Sequence, residues 1–211
     1  MNKRIERNYP PVNLMNQEQK VGIVKDIFSS ITNKYDFLNR FLSLRQDLVW
    51  RNKTVKEMRF FNSYKLLDLA TGTGDLAIDA VNMYPKIKAT GLDFVPEMVD
   101  YGIKKVIKNN LEDRVELKWG DAVDIDYEDN TFDVASMAFG IRNIPDKVRA
   151  LTEMKRVVLN DGQVIILELT TPDPGFLKTL YSFYLNGLLP KIAKWFTSNP
   201  AAYEYLADSI M

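Results

Sequence analysis

Lys65-Leu66-Leu67-Asp68-Leu69-Ala70-Thr71-Gly72-Thr73-Gly74-Asp75, with Leu92-Asp93 closing the next apolar run, decides the fold of this chain. An apolar run that ends in a glycine pair and opens into a helical pattern predicts a buried strand, a turn and a helix start. Glycine accepts positive φ and lets a ligand approach the backbone where a Cβ would otherwise stand. Unpaired N–H groups at the helix start then face that ligand. Asp93 falls nineteen residues after Gly74, where a carboxylate ending the second strand can accept both hydroxyl protons of a ribose. The stretch predicts a site for an adenosine-containing cofactor on Gly72, Gly74 and Asp93. The plainer reading is a strand–helix turn with no ligand.

Strands and helices alternate from Tyr64 onward. Strands are predicted over Lys65–Ala70, Ile87–Asp93, Arg114–Trp119, Phe132–Met137 and Gln163–Leu169. Helices are predicted over Asp75–Met83, Pro96–Lys108 and Lys147–Val158, with Pro96 suited to a first helical turn. Asn160-Asp161-Gly162 is a turn signal ahead of the fifth strand. This rhythm predicts an α/β fold, a parallel sheet with helices on both faces and ligands beyond the strand C-termini.

Ahead of Tyr64, residues 1–15 are polar, contain Pro10-Pro11 and read as a flexible arm. Residues 16–62 read as a helical cap, with Ile23, Val24, Ile27, Phe28 and Ile31 at helical spacing and a second helix near Asp47–Arg59. Residues 63–211 are left as the cofactor-binding domain, carrying an apolar, aromatic insertion over 174–197. That insertion reads either as helices packed on the domain or as a lid or membrane-facing patch for a greasy substrate.

Composition narrows the chemistry. The 211 residues fit one domain with a small appendage, and 28 basic against 28 acidic side chains leave no net field to attract nucleic acid. Without cysteine there are no disulfides or thiolate metal sites, and without histidine the commonest general base and metal ligand are gone. No metal is expected. Catalysis falls to carboxylates, Tyr, Arg, Lys, backbone groups or the cofactor. The N-terminus is charged, and no run reaches the roughly 20 apolar residues of a membrane span. A cytoplasmic protein is expected, with room for peripheral membrane contact and for a homodimer.

Gly72, Gly74 and Ala77 also satisfy a dinucleotide fingerprint. Asp68 argues against it, because a carboxylate just ahead of the glycines would repel a pyrophosphate. The same carboxylate can help position the ammonium of a methionine moiety, or simply hydrogen-bond turn N–H groups and stabilise the loop. Asp121, in Gly120-Asp121-Ala122 after the third strand, can recognise an adenine amino edge together with adjacent backbone. Both acids point to S-adenosylmethionine.

Leu67–Asp75, Gly91-Leu92-Asp93, Trp119–Ala122 and Asp129–Asp133 resemble class I S-adenosylmethionine-dependent methyltransferase motifs. Phe28–Asp36, with its Lys34-Tyr35-Asp36, and Phe139-Gly140-Ile141-Arg142-Asn143-Ile144 resemble the UbiE/MenG group of ubiquinone/menaquinone biosynthesis C-methyltransferases. The closing run Ala202–Ile210 is also similar, so the likeness covers about residues 20–211. It implies a Rossmann-like three-layer sandwich with an N-terminal helical cap. It also implies cofactor contacts at Thr73, Asp93 with the adjoining Phe94, Asp121 and Ala122, and a backbone contact at Ala138, where relatives often carry Ser.

The implied reaction is C-methylation of a prenylated quinol such as demethylmenaquinol. With no histidine, the quinol proton needs another route: a water oriented by Arg142 and Asn143, or by Tyr35 and Asp36. Blander roles stand beside these: Tyr35 and Asp36 can pack and cap, and Arg142 can be a structural ion-pair partner. Members of the group continue into a strand pair that closes a seven-stranded sheet, whereas this chain stops at Met211. That pair is expected to be missing, leaving the fifth strand as an edge. Alternatives are another small aromatic or lipid-like acceptor, or a cofactor-binding assembly partner without catalysis.

Overall fold

The structure, a computed structural model, describes residues 14–170 with Gly175, Tyr205 and Ser209. Most of the 1–15 arm and nearly all of the 174–197 insertion lie outside the described residues, as does most of the closing run. The chain divides into two units, and Thr32–Glu168 forms the one that holds every site residue named above.

Helix α1 runs from Gln17 to Leu42 and α2 from Gln46 to Lys56. The Asn16 side chain accepts the Gln19 N–H at 2.8 Å while Gln19 Oε1 accepts the Asn16 N–H at 3.1 Å, a reciprocal cap that starts α1. Leu44 and Arg45, both at positive φ, turn the chain into α2, and Ser43 Oγ accepts the Asp47 N–H there.

The sheet contains β1 (Lys65–Leu69), β2 (Lys88–Asp93), β3 (Val115–Trp119), β4 (Phe132–Ala138) and β5 (Val158–Leu167), all parallel, in the order β3-β2-β1-β4-β5. Helices α3 (Asp75–Met83), α4 (Pro96–Lys108) and α5 (Lys147–Val157) fill the connections. Strand parity sorts the core into two faces. Leu66 and Val134 join the apolar cluster that includes Leu76, Val81, Val99 and Val106 of α3 and α4. Leu67, Leu69, Ala135 and Met137 join the other, with Ala150, Met154 and Val157 of α5. The result is the expected three-layer α/β arrangement.

One local expectation fails. Asn160-Asp161-Gly162 does not separate α5 from β5 by a turn. The strand starts already at Val158, opposite Phe132, and the register shifts before Gln163 pairs with Val134. The extra residues are absorbed as an irregularity within the strand. Among the described residues β5 pairs with β4 alone, and Val164 and Ile166 stay partly exposed. Among the same residues, no helix is long and apolar enough to cross a membrane.

Candidate active site

Strand order reverses between β1 and β4, so their C-terminal ends flank the switch point where open α/β sheets bind ligands. The chain is strained there. Ala70 follows β1 at φ 49° and Phe139 follows β4 at φ 58°, both left-handed and neither a glycine. Between β1 and α3, Gly72 at φ 57° and Gly74 at φ 80° make the turn that only glycine adopts without strain. Asp93 closes over it from β2. Its Oδ2 accepts the Gly72 N–H at 2.7 Å and its Oδ1 the Val95 N–H at 2.9 Å. Burial pushes the Asp93 carboxyl up to about 6, against the pull of those backbone donors.

Asp68 sits deeper. Its two oxygens accept the Thr71 hydroxyl at 2.6 Å and the Ser136 hydroxyl at 2.7 Å, tying β1 to the turn and to β4. Burial raises this carboxyl to about 6 as well. It bonds side-chain hydroxyls, not the turn N–H groups that sequence reasoning considered.

The other cofactor candidates lie along the same edge. Gly120 donates to the Asp93 carbonyl at 3.0 Å, which brings Asp121 and Ala122 up beside β2. Asp121 Oδ1 accepts the Val123 N–H at 3.1 Å, and Ala122 is buried in the α5-side core. The Phe94 carbonyl accepts the Trp119 indole N–H at 3.1 Å, and the two rings lie 6.2 Å apart. Ala138 ends β4 opposite Leu167.

From α1, the Tyr35 ring lies 3.7 Å from where a Gly72 Cβ would stand. Burial raises the Tyr35 phenol, while an Asn39 hydrogen bond and the charge of Arg142 act the other way. Arg142, on the short 3-10 turn Ile141–Asn143, is paired with Glu168 just past β5: Glu168 accepts from its guanidinium and, at 3.1 Å, from its backbone N–H. The ion-pair role for Arg142 is therefore present, in a position that also sets its charge near Tyr35.

Asp36 is engaged through both oxygens. Its Oδ1 accepts the Thr73 hydroxyl at 2.6 Å and its Oδ2 the Lys105 ammonium at 2.6 Å. Thr73 consequently offers a ligand its backbone, since its hydroxyl is held by Asp36 and Lys105. Beyond lies a charged network. Arg51 of α2, nearly buried, pairs with Asp47, Asp75 and Asp79. Burial alone would raise Asp75, yet Lys105, Arg51 and Arg40 hold it below the usual carboxylate range.

Sequence reasoning brought Tyr35, Asp36, Gly72, Thr73, Asp93 and Arg142 forward, and the fold gathers them around the C-terminal ends of the central strands. It missed Lys105, Ser136 and Glu168. Nothing local marks these three, because each meets its partner across 26 or more residues of chain.

A buried acid on a glycine turn, a second acid beyond β3 and a helix start at that turn suit an adenosine ligand. The fold and this edge define a class I methyltransferase. A solved S-adenosylmethionine-dependent methyltransferase from Aquifex aeolicus superposes with a TM-score of 0.53 at 27% identity, covering 64% of this chain and 77% of that one. Residues 14–211 match the ubiE/COQ5 methyltransferase family, and the chain belongs to it. It is 42% identical over 189 residues to the ubiquinone/menaquinone biosynthesis C-methyltransferase UbiE of Citrifermentans bemidjiense, covering 89% of this chain and 80% of that protein. It is 37% identical to the demethylmenaquinone methyltransferase of Deinococcus radiodurans, covering 97% and 83%.

Proposed function

We propose that this chain transfers the methyl group of S-adenosylmethionine to a ring carbon of a prenylated quinol, demethylmenaquinol or a close relative, in quinone biosynthesis. The observation that carries the proposal is the Tyr35 ring laid against the turn that Asp93 closes, with the charge of Arg142 acting on that ring's hydroxyl. The names of the relatives support the choice of acceptor.

Bound S-adenosylmethionine supplies an electrophilic methyl on a sulfonium. In this proposal Asp93 accepts the ribose hydroxyls, while the backbone of Gly72, Thr73 and Gly74 lines the methionine end. Asp121 and the Ala122 backbone read the adenine edge, Phe94 flanks it, and the Ala138 backbone closes the pocket from β4. Asp68 acts from beneath, holding the turn through Thr71 and β4 through Ser136.

The protein must hold the acceptor carbon in line with the departing sulfur and keep water out of that line. Loss of a quinol hydroxyl proton drives electron density onto the adjacent ring carbon, which forms the new bond to the methyl. The sulfur keeps the electron pair of the broken methyl–sulfur bond; the proton on that carbon then passes to solvent, its bonding electrons restore the aromatic ring, and the ring oxygen takes up a proton to give the methylated quinol. With Asp36 occupied by Lys105 and Thr73, a water oriented by Arg142 and Asn143 takes the hydroxyl proton. Tyr35 packs beside the reacting carbon. A prenyl tail places the acceptor at a bilayer, so peripheral membrane contact belongs to the same proposal.

Incubation with methyl-labelled S-adenosylmethionine and a panel of demethylated prenylated quinols tests this reading. Label on a ring carbon of one quinol is the expected result. Transfer to none of them, with S-adenosylhomocysteine still bound, overturns the choice of substrate.

A further inference from the structure

Helix α4 approaches the glycine turn through Gly102. A Cβ added there would stand 3.0 Å from the Thr73 carbonyl oxygen and 2.5 Å from a Leu117 methyl carbon. Three residues further along α4, on the face that Gly102 brings against the turn, comes Lys105. Its ammonium donates to Thr73 Oγ1 at 2.9 Å, to Asp36 Oδ2 at 2.6 Å and to Asp75 Oδ1. An ammonium has three protons, and here each has its own acceptor on a different element. The Thr73 hydroxyl adds its own bond to Asp36 at 2.6 Å. The residue before Asp36 is Tyr35, whose ring covers Gly72.

We propose that Lys105 is a positioning residue of the cofactor site: by pinning Asp36 to Thr73 and Asp75, it clamps Tyr35 of α1 across the Gly72 turn. Without the ammonium, Asp75 keeps Arg51 and Arg40, but Asp36 keeps only the Thr73 hydroxyl, and its charge-assisted tie to the turn and to α4 is lost. Tyr35 leaves with Asp36. The end of the cofactor that lies on the turn is then open to water, and it departs faster. The proposal rests on the assignment of S-adenosylmethionine to this turn.

Chase experiments with labelled S-adenosylhomocysteine test it, with no acceptor present. Lys105→Met is expected to release the ligand at least tenfold faster than the unaltered protein. Asp36→Asn should release it about as fast, and the double variant no faster than either single one, because the two side chains act as one unit. Lys105→Arg should fall between, since a planar guanidinium cannot seat three donors on one point. If Lys105→Met does not accumulate as folded protein, Asp36→Asn and Lys105→Arg read the same contact. A structural role alone would lower the unfolding midpoint and leave dissociation unchanged; that result, or additive effects in the double variant, overturns the proposal. Quinol methylation enters none of these measurements, so failure of the substrate reading leaves this one standing.

Discussion

Asp93 Oδ2 accepts the Gly72 N–H at 2.7 Å, so the acid at the end of β2 and the glycine turn at the end of β1 form one hydrogen-bonded unit. Asp93→Ala removes both the proposed ribose acceptor and the brace on the turn. Cofactor affinity should drop by roughly 1–3 kcal/mol, the scale of charge-assisted hydrogen bonds. Calorimetry with S-adenosylhomocysteine measures it, and an unchanged affinity would refute the ribose assignment.

Cofactor binding should depend on pH through the same residue. The Asp93 carboxyl stands at about 6, and the ionised form is the one that accepts two hydroxyl protons. Affinity is therefore expected to rise between pH 5 and 7, with proton release on binding near pH 6. Titrations in buffers of different ionisation enthalpy detect that release; flat affinity across the range would contradict it.

Asp68 gives a stability signature of definite sign. Its folded-state pKa, about 6, lies above the 3.8 of an unperturbed carboxyl. Between those values the folded chain holds a proton that the unfolded chain has lost, so stability falls as pH rises through the window. Ionising it when buried costs about 3 kcal/mol. The stability of the unaltered protein relative to Asp68→Asn should decline from pH 4 to pH 6.5, as followed by urea unfolding. A difference that does not change with pH would remove this account.

Arg142→Ala should leave cofactor affinity intact and abolish most turnover, because its guanidinium acts on Tyr35 and pairs with Glu168, while Asp93 holds the glycine turn. Glu168→Gln keeps the side-chain volume but removes the charge that holds Arg142, and should lower kcat more than it raises KM for the quinol. Wild-type methyl transfer in Arg142→Ala would end its proposed role with the water.

Asp133 accepts the N–H groups of Asn62, Ser63 and Tyr64 from a fully buried position. Asp133→Ala strands those donors at the entrance to β1, at a cost of about 2–4 kcal/mol. The unfolding midpoint should fall, while the S-adenosylhomocysteine affinity of the folded fraction stays near that of the unaltered protein.

The alternation of apolar runs with helical patterns was readable because each strand and helix carries its own periodicity. Leu66 and Leu67 are adjacent in sequence and enter opposite cores, as period-2 geometry requires. The meeting of Asp93 with the turn of Gly72 and Gly74 was readable because the glycines share a turn and the acid follows at the distance of one helix and strand. The start of β5 at Val158 was not readable. Asn160-Asp161-Gly162 has the chemistry of a turn, and pairing with β4 overrode that local preference.

Sequence by itself determined a parallel α/β sheet, a glycine turn with its acid, and a likeness to one family of methyltransferases, all of which depend on residues near one another along the chain. Tertiary structure alone decided how the charges around that turn are spent. Asp36, a candidate for catalysis, is tied to Lys105 across 69 residues, and Arg142 is tied to Glu168 across 26. A carboxylate is chemically the same group whether free to take a proton or locked beneath an ammonium. Only the approach of distant segments, α4 to the turn through Gly102 and β5 to β4, selects between the two.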